Sequence, residues 1–285
     1  MGAGESLRGV GRTAVGMARV RAQESQRPDR LFDDPYAEVF VAAAPDAFPE
    51  DRGRATTGPL ASLGAALYVH GVIRTRFFDD YLLAATAAGC RQVVLPAAGL
   101  DTRAFRLLWP AGVRLFELDL PEVLAFKERV LAAEHAVPRC ERVALAADLR
   151  EAWPAVLTSA GFQPAQPTAW LVEGLFVYLS ADEAGRLLTT VGELSAPASQ
   201  LAFEQANTSD TSLIARARAI PAMDRFTALW KGGLGAGASE WLAGHGWQVR
   251  THDLAALVAS YGRALTRPSS GGGFVNAVRP PGDPA

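Results

Sequence analysis

Residues 92–107 read QVVLPAAGLDTRAFRL: an apolar run, a single turn glycine at Gly99, and then a pattern that suits a helix. A strand, a glycine turn and a helix usually build a nucleotide-type site at the carboxyl end of a sheet strand. Dinucleotide fingerprints carry three glycines, partly so that the backbone can approach a pyrophosphate at the helix N-terminus. Ala97 and Ala98 precede Gly99, and Asp101 stands where the helix should start, an acid that would repel a phosphate. This turn therefore predicts a cofactor with no phosphate at this contact.

Outward from that turn, strand and helix patterns alternate. Strands are expected over 91–97, 113–119, 141–148, 168–174 and 199–205, with helices over 101–108, 121–134 and 181–194. Alternation of this kind predicts parallel βαβ units, an α/β doubly wound and mostly parallel sheet. The stretch before it is helical and irregular: an amphipathic helix over GRTAVGMARVRAQESQ, a turn leading into another over RPDRLFDDPYAEVFVAA, and a long helix over GVIRTRFFDDYLLAATAAG that stops at Gly89. Residues 206–246, glycine-rich around KGGLGAG, break the rhythm and are expected to form an insertion capping the site. A strand over 247–253, a helix over 254–262 and a strand over 272–280 then finish the sheet with an antiparallel edge, and the last residues form a frayed tail. The expected organisation is a single domain over 1–285: an N-terminal helical segment (1–89), a cofactor-binding core (90–205), the cap insertion (206–246) and the final strands (247–285).

Composition limits the alternatives. Hydrophobic residues make up 49% of the 285 and charged residues 20%, enough for a large core. A net charge of -2 gives no electrostatic footprint for nucleic acid or an anionic membrane. Cys90 and Cys140 match no metal-ligand spacing and no disulfide framework. No apolar run is long enough for a signal peptide or a membrane span. The expectation is a soluble cytoplasmic protein without a metal.

Three acids sit at expected strand ends. Asp119 closes LFELD about twenty residues beyond Gly99, the separation at which a carboxylate holds ribose hydroxyls. Its alternative role is to cap the helix opened by Pro121. Ribose without pyrophosphate points to S-adenosyl-L-methionine. Asp148 and Leu149 follow the third strand, where an adenine ring should lie; an ordinary loop aspartate is the alternative. Glu173 ends the apolar fourth strand, where a buried carboxylate needs a partner: the amino group of a methionine moiety, or a local arginine.

With these residues in view, the chain resembles the leucine carboxyl methyltransferase family, in its bacterial branch of S-adenosylmethionine-dependent O-methyltransferases. The resemblance spans nearly the whole chain, through RTAVGMARVRAQES, DDPYAEVFV, RTRFFDDYL, LPAAGLDTRAFRL, FELDLPEVLAFKERVL, EGLFVYL and WLAGHGW. It implies a seven-stranded Rossmann-like methyltransferase sheet. It also implies that Gly99 lines the methionine end, Asp119 the ribose, and Asp148 with Leu149 the adenine, with Glu173 as the acid after the fourth strand. An arginine on the helix before the first strand should bind the methionine carboxylate; Arg74 fits best and Arg76 second, a surface salt bridge being the alternative for either. Family members often carry a second glycine in the first turn, so alanine at 97 and 98 requires ordinary backbone torsions there.

In-line methyl transfer needs alignment above all. A carboxylate acceptor is ionised at neutral pH and needs no base, whereas a hydroxyl wants one within reach. His70, His135, His245 and His252 lie in no motif that marks a base, so no catalytic residue is assigned. Arg216, Arg218 and Arg225 in the cap read as a solvated helix face or as a greeting for an anionic substrate. The expected substrate is a small acid or phenol. The alternatives are a protein carboxyl group, a cyclase-type enzyme that keeps the cofactor for its charge, and a nicotinamide-dependent oxidoreductase.

Overall fold

A computed structural model describes residues 10–47, 57–205, 212–264 and 272–280. The tail at 281–285, the start of the cap insertion at 206–211 and the side chain of Arg225 lie outside the described residues. Strands β1 (Gln92–Pro96), β2 (Arg114–Asp119), β3 (Glu141–Ala146), β4 (Thr168–Val172), β5 (Gln200–Gln205), β6 (Gln248–Asp253) and β7 (Gly273–Val278) form one sheet. Their order is β3-β2-β1-β4-β5-β7-β6. The first five run parallel, and β7 runs antiparallel to both of its neighbours. The reversal expected at the edge therefore falls one strand inside it. The burial pattern explains the swap: the apolar GFVNAV of β7 is largely buried between β5 and β6, while the polar QVRTHD of β6 lies on the exposed rim.

The helices are α1 (Val10–Ser25), α2 (Ala37–Ala42), α3 (Gly58–Ala87), α4 (Arg103–Arg106), α5 (Pro121–Ala133), α6 (Trp153–Ser159), α7 (Ala181–Glu193), α8 (Leu213–Arg218), α9 (Asp224–Thr227), α10 (Ala238–Gly244) and α11 (Leu254–Ser260). Three depart from expectation: α3, α4, and α6, which occupies a stretch where no helix is expected. α3 begins at Gly58, thirteen residues before the expected start, because LASLGAALYVH is rich in good helix formers behind Pro59. Gly71 survives inside it because α1 crosses there: an added Cβ would meet Met17 at 2.9 Å and Val20 at 3.0 Å. α4 is a single turn rather than the eight residues expected.

Two apolar layers cover the two faces of the sheet. Ile73, Phe78 and Leu82 of α3 pack with Val93, Leu115 and Phe274 on one side. Phe116, Trp170, Leu188 and Phe203 fill the other with α6 and α7. Each fully buried side chain of this size contributes roughly 1.5–3 kcal/mol. β1 and β4 are buried along their whole length, so the central strand ends are held rigidly. Among the described residues no helix is long and apolar enough to cross a membrane.

Candidate cofactor and acceptor site

The carboxyl ends of β1 and β4 diverge where the strand order switches, and the candidate residues gather around that point. In the turn after β1, Ala97 has φ 57° and Gly99 φ 52°. Ala97 is thus not in the ordinary backbone region its type requires; the left-handed conformation costs a Cβ-bearing residue about 1–2 kcal/mol. The Gly99 N–H donates to Oδ2 of Asp119 at 2.6 Å, and the Leu120 N–H donates to Oδ1 at 2.7 Å. Asp119 is therefore not the N-cap of α5; that position is Leu120, which makes no side-chain capping bond, and the Asp119 carboxylate takes the Leu120 amide instead. Burial pushes the Asp119 carboxyl above its ordinary value, with the Gly99 and Leu120 N–H groups pulling the other way. Each carboxylate oxygen keeps acceptor capacity beyond the single amide it holds.

Past β3, Asp148 chelates Arg150: its carboxylate accepts from the Arg150 amide at 2.9 Å and from the guanidinium at 2.5 Å. This bond with Arg150 holds the Asp148 carboxyl down at about 2. Leu149 is half-buried against the layer containing Trp170. The adjacent Ala147 N–H donates to the Asp119 carbonyl at 2.9 Å, which ties this loop to the end of β2.

The ends of β4 and β5 are built differently. Arg74 of α3 lies between Glu173 and Glu204, its Nη1 donating to Glu204 at 2.6 Å. Its Nε is 2.9 Å from Glu173 yet out of hydrogen-bond line, leaving a buried donor without an aligned acceptor. Arg103 of α4, 2% exposed, reaches Glu173 at 2.7 Å, Asp79 at 2.7 Å and Asp101. Arg106 closes the network on Asp79 at 2.6 Å. The Gly174 N–H donates to Glu204 at 2.5 Å. Burial pulls the Glu173 carboxyl upward, but Arg103 and Arg74 outweigh it and hold the group below its ordinary value.

Glu173 therefore has local arginines as its partners, the alternative to a ligand ammonium. Asp101 does not present a bare charge that repels phosphate; Arg103 neutralises it, and against burial it is held at about 2. What disfavours a pyrophosphate is instead the four-residue α4, too short to present a helix N-terminus. The structure brings Arg74 into the site and leaves Arg76 outside it, paired with Asp80 at 2.9 Å.

Sequence reasoning missed Arg103, Asp79 and Glu204. Glu204 carried the same signal as Glu173, an acid ending an apolar strand in QLAFEQ. The two arginines of DTRAFR had no local sign of burial.

The glycine-rich stretch at 231–233 is stitched to the segment that follows β4. Lys231 and Gly232 donate to the Val177 carbonyl and Gly233 to that of Leu179. A Cβ on Gly233 would meet the Phe176 carbonyl at 2.8 Å. Arg216 donates to Ser62 on α3 at 3.2 Å and is not a solvated side chain, whereas Arg218 is exposed and donates to the Trp230 carbonyl at 2.9 Å.

Residues 14–192 match the model of the family described as leucine carboxyl methyltransferase. A protein of Parafrankia sp., described as a candidate S-adenosyl-L-methionine-dependent methyltransferase, is 53% identical over 279 residues, spanning 96% of this chain and 89% of its own. A Streptomyces coelicolor protein of the same description is 43% identical over 278 residues, spanning 95% and 96%. Among solved structures, a DUF574 family protein from Streptomyces avermitilis superposes with a TM-score of 0.58 at 16% identity, over 92% of this chain and 97% of that one. That last likeness concerns the fold alone.

Proposed function

The chain belongs to the leucine carboxyl methyltransferase family of S-adenosyl-L-methionine-dependent methyltransferases, and from that premise we propose that it methylates a carboxylate or hydroxyl oxygen of a small molecule. The whole chain is assigned to one such domain, with 206–246 as its cap. The observation that carries the cofactor assignment is Asp119, locked across the ends of β1 and β2 by the Gly99 and Leu120 amides with acceptor capacity left for two vicinal ribose hydroxyls. Asp148 and Leu149, tied to the end of β2, stand on the adenine side. Arg74 offers the methionine carboxylate its unaligned Nε donor.

Charge supports the fit. Four carboxylates, Asp79, Asp101, Glu173 and Glu204, face three guanidiniums, Arg74, Arg103 and Arg106. The surplus negative charge suits a ligand that carries one net positive charge on its sulfonium. When bound, S-adenosyl-L-methionine supplies an activated methyl group. The protein's part is to fix its two ends and exclude water beneath the cap, so that the acceptor oxygen lies in line.

Mass spectrometry of the purified protein should find co-bound S-adenosylhomocysteine, and calorimetry should measure its rebinding. Turnover with a panel of small acids and phenols should follow. Absence of binding to either form of the cofactor would end this reading. Binding with no turnover on small molecules or on peptide carboxyl groups would favour the cyclase-type role.

A further inference from the structure

α3 feeds the start of β1, so moving towards its N-terminus from Arg74 climbs beyond the carboxyl ends of the strands. His70 is one turn up, about 6 Å along the axis and on nearly the same face. Higher still, Ser62 meets Arg216 of the cap. His70 therefore lies between the methionine end of the site and the cap, on the side where an acceptor must sit. Its ring packs on Phe274, centroids 5.8 Å apart, and Phe274 is the register partner of Glu204 on β5.

Of the other three histidines, His245 stacks on Trp241 at 3.6 Å and His135 is an exposed turn residue. His252 on the edge strand β6 is paired in register with Phe274, packs on Phe77 and leaves its Nε2 buried without a partner, but its charged neighbour is Arg250, whereas His70 faces Glu204, Glu173 and Arg74. The half-buried His70 ring has no hydrogen bond among the described residues, which sets it apart from the ion-paired Arg74 one turn below.

We propose that His70 is the base that takes the proton from a hydroxyl acceptor, with Glu204 beside it to stabilise the imidazolium. This inference rests on the function proposed above and narrows its acceptor class to a phenol or alcohol. The acceptor oxygen forms its bond to the methyl carbon while its proton passes to an imidazole nitrogen. The methyl–sulfur bond breaks with its electron pair staying on sulfur, and the proton leaves His70 for water. The groups facing His70 suit the task. Burial lowers its affinity for a proton, Glu204 and Glu173 oppose that, and Arg74 reinforces it; the net direction is downward, so the ring is neutral and basic at pH 7.

The test is an NMR titration of the His70 ring, assigned by its loss in His70→Asn, in protein bound to S-adenosylmethionine and to S-adenosylhomocysteine. Only the former carries a sulfonium charge. A ring facing the acceptor position should titrate lower with S-adenosylmethionine, by about one unit or more. Among phenols of the panel, His70→Asn should lower kcat about a hundredfold or more, leave cofactor affinity unchanged and erase the acid limb of the pH profile. Equal titration with the two ligands overturns the proposal. So does wild-type phenol turnover by His70→Asn, or turnover of carboxylates alone by the unaltered enzyme. Failure of both cofactor forms to bind would remove the underlying function instead.

Discussion

The junction of β1 with β2 and the ends of β4 and β5 hold their acids in opposite ways. Asp119 is tied by two backbone amides, and burial pushes its carboxyl upward. Glu173 is flanked by two guanidiniums that hold its carboxyl down. An acid held by amides still wants donors, and neutral hydroxyls suit it. An acid held by arginines is electrostatically saturated, and its network serves to place those arginines. On the function proposed above, the first region is the ligand contact, made from a turn. The second is a scaffold of buried ion pairs that fixes where its arginines stand.

The scaffold should be the more fragile. Arg103→Met would leave Asp101 buried without its cation and Glu173 with one arginine instead of two. The expected loss is about 3–5 kcal/mol in urea unfolding, because breaking a buried pair strands its partner. A loss below 1 kcal/mol would mean the network is hydrated and the contrast false.

Asp119→Ala should strike binding harder than stability. Calorimetry with S-adenosylhomocysteine should show affinity reduced about ten- to a hundredfold, the value of a charged acceptor. The Gly99 and Leu120 amides would lose their partner, at about 1–3 kcal/mol of folding stability. Unchanged affinity would break the ribose assignment.

Acid separates the two regions by sign. Asp101 is held at about 2, below its ordinary value, so its contribution to stability is complete above about pH 4 and lost as pH falls towards 2. Asp119 is shifted the other way: its folded-state carboxyl protonates at higher pH than in the unfolded chain, so acidification costs it no stability. Cofactor affinity should therefore begin to fall at a higher pH than stability does. Parallel titrations by calorimetry and by thermal unfolding check this order.

Arg74→Lys keeps a positive charge but cannot span Glu173 and Glu204 as the planar guanidinium does. S-adenosylhomocysteine binding should weaken by about tenfold. 5′-methylthioadenosine, which lacks the amino-acid end, should be hardly affected. Equal losses for both ligands would reduce Arg74 to a structural role.

The smallest expected effect is at Ala97→Gly. Relief of about 1 kcal/mol at φ 57° is offset by the extra freedom of glycine in the unfolded chain, roughly 0.5–1 kcal/mol. Denaturant midpoints should barely move. A clear loss of cofactor affinity would show that the alanine methyl shapes the turn.

Short-range chemistry was legible in the sequence. Apolar runs of strand length marked the strands, Gly99 marked the turn, and the spacing to Asp119 reflects two adjacent parallel strands in register. The crossover helix α6 was not legible, and neither was the position of β7, since strand order inside a sheet depends on packing between segments far apart in the chain. The ion network was hidden for the same reason. Arg74 and Glu204 stand 130 residues apart, and Arg103 and Glu173 stand 70 apart. Sequence alone determined which residues carry charge and which strand ends they follow. Only the tertiary structure decided which charges meet, because a buried ion takes its partner from whatever the packed fold brings within a few ångströms.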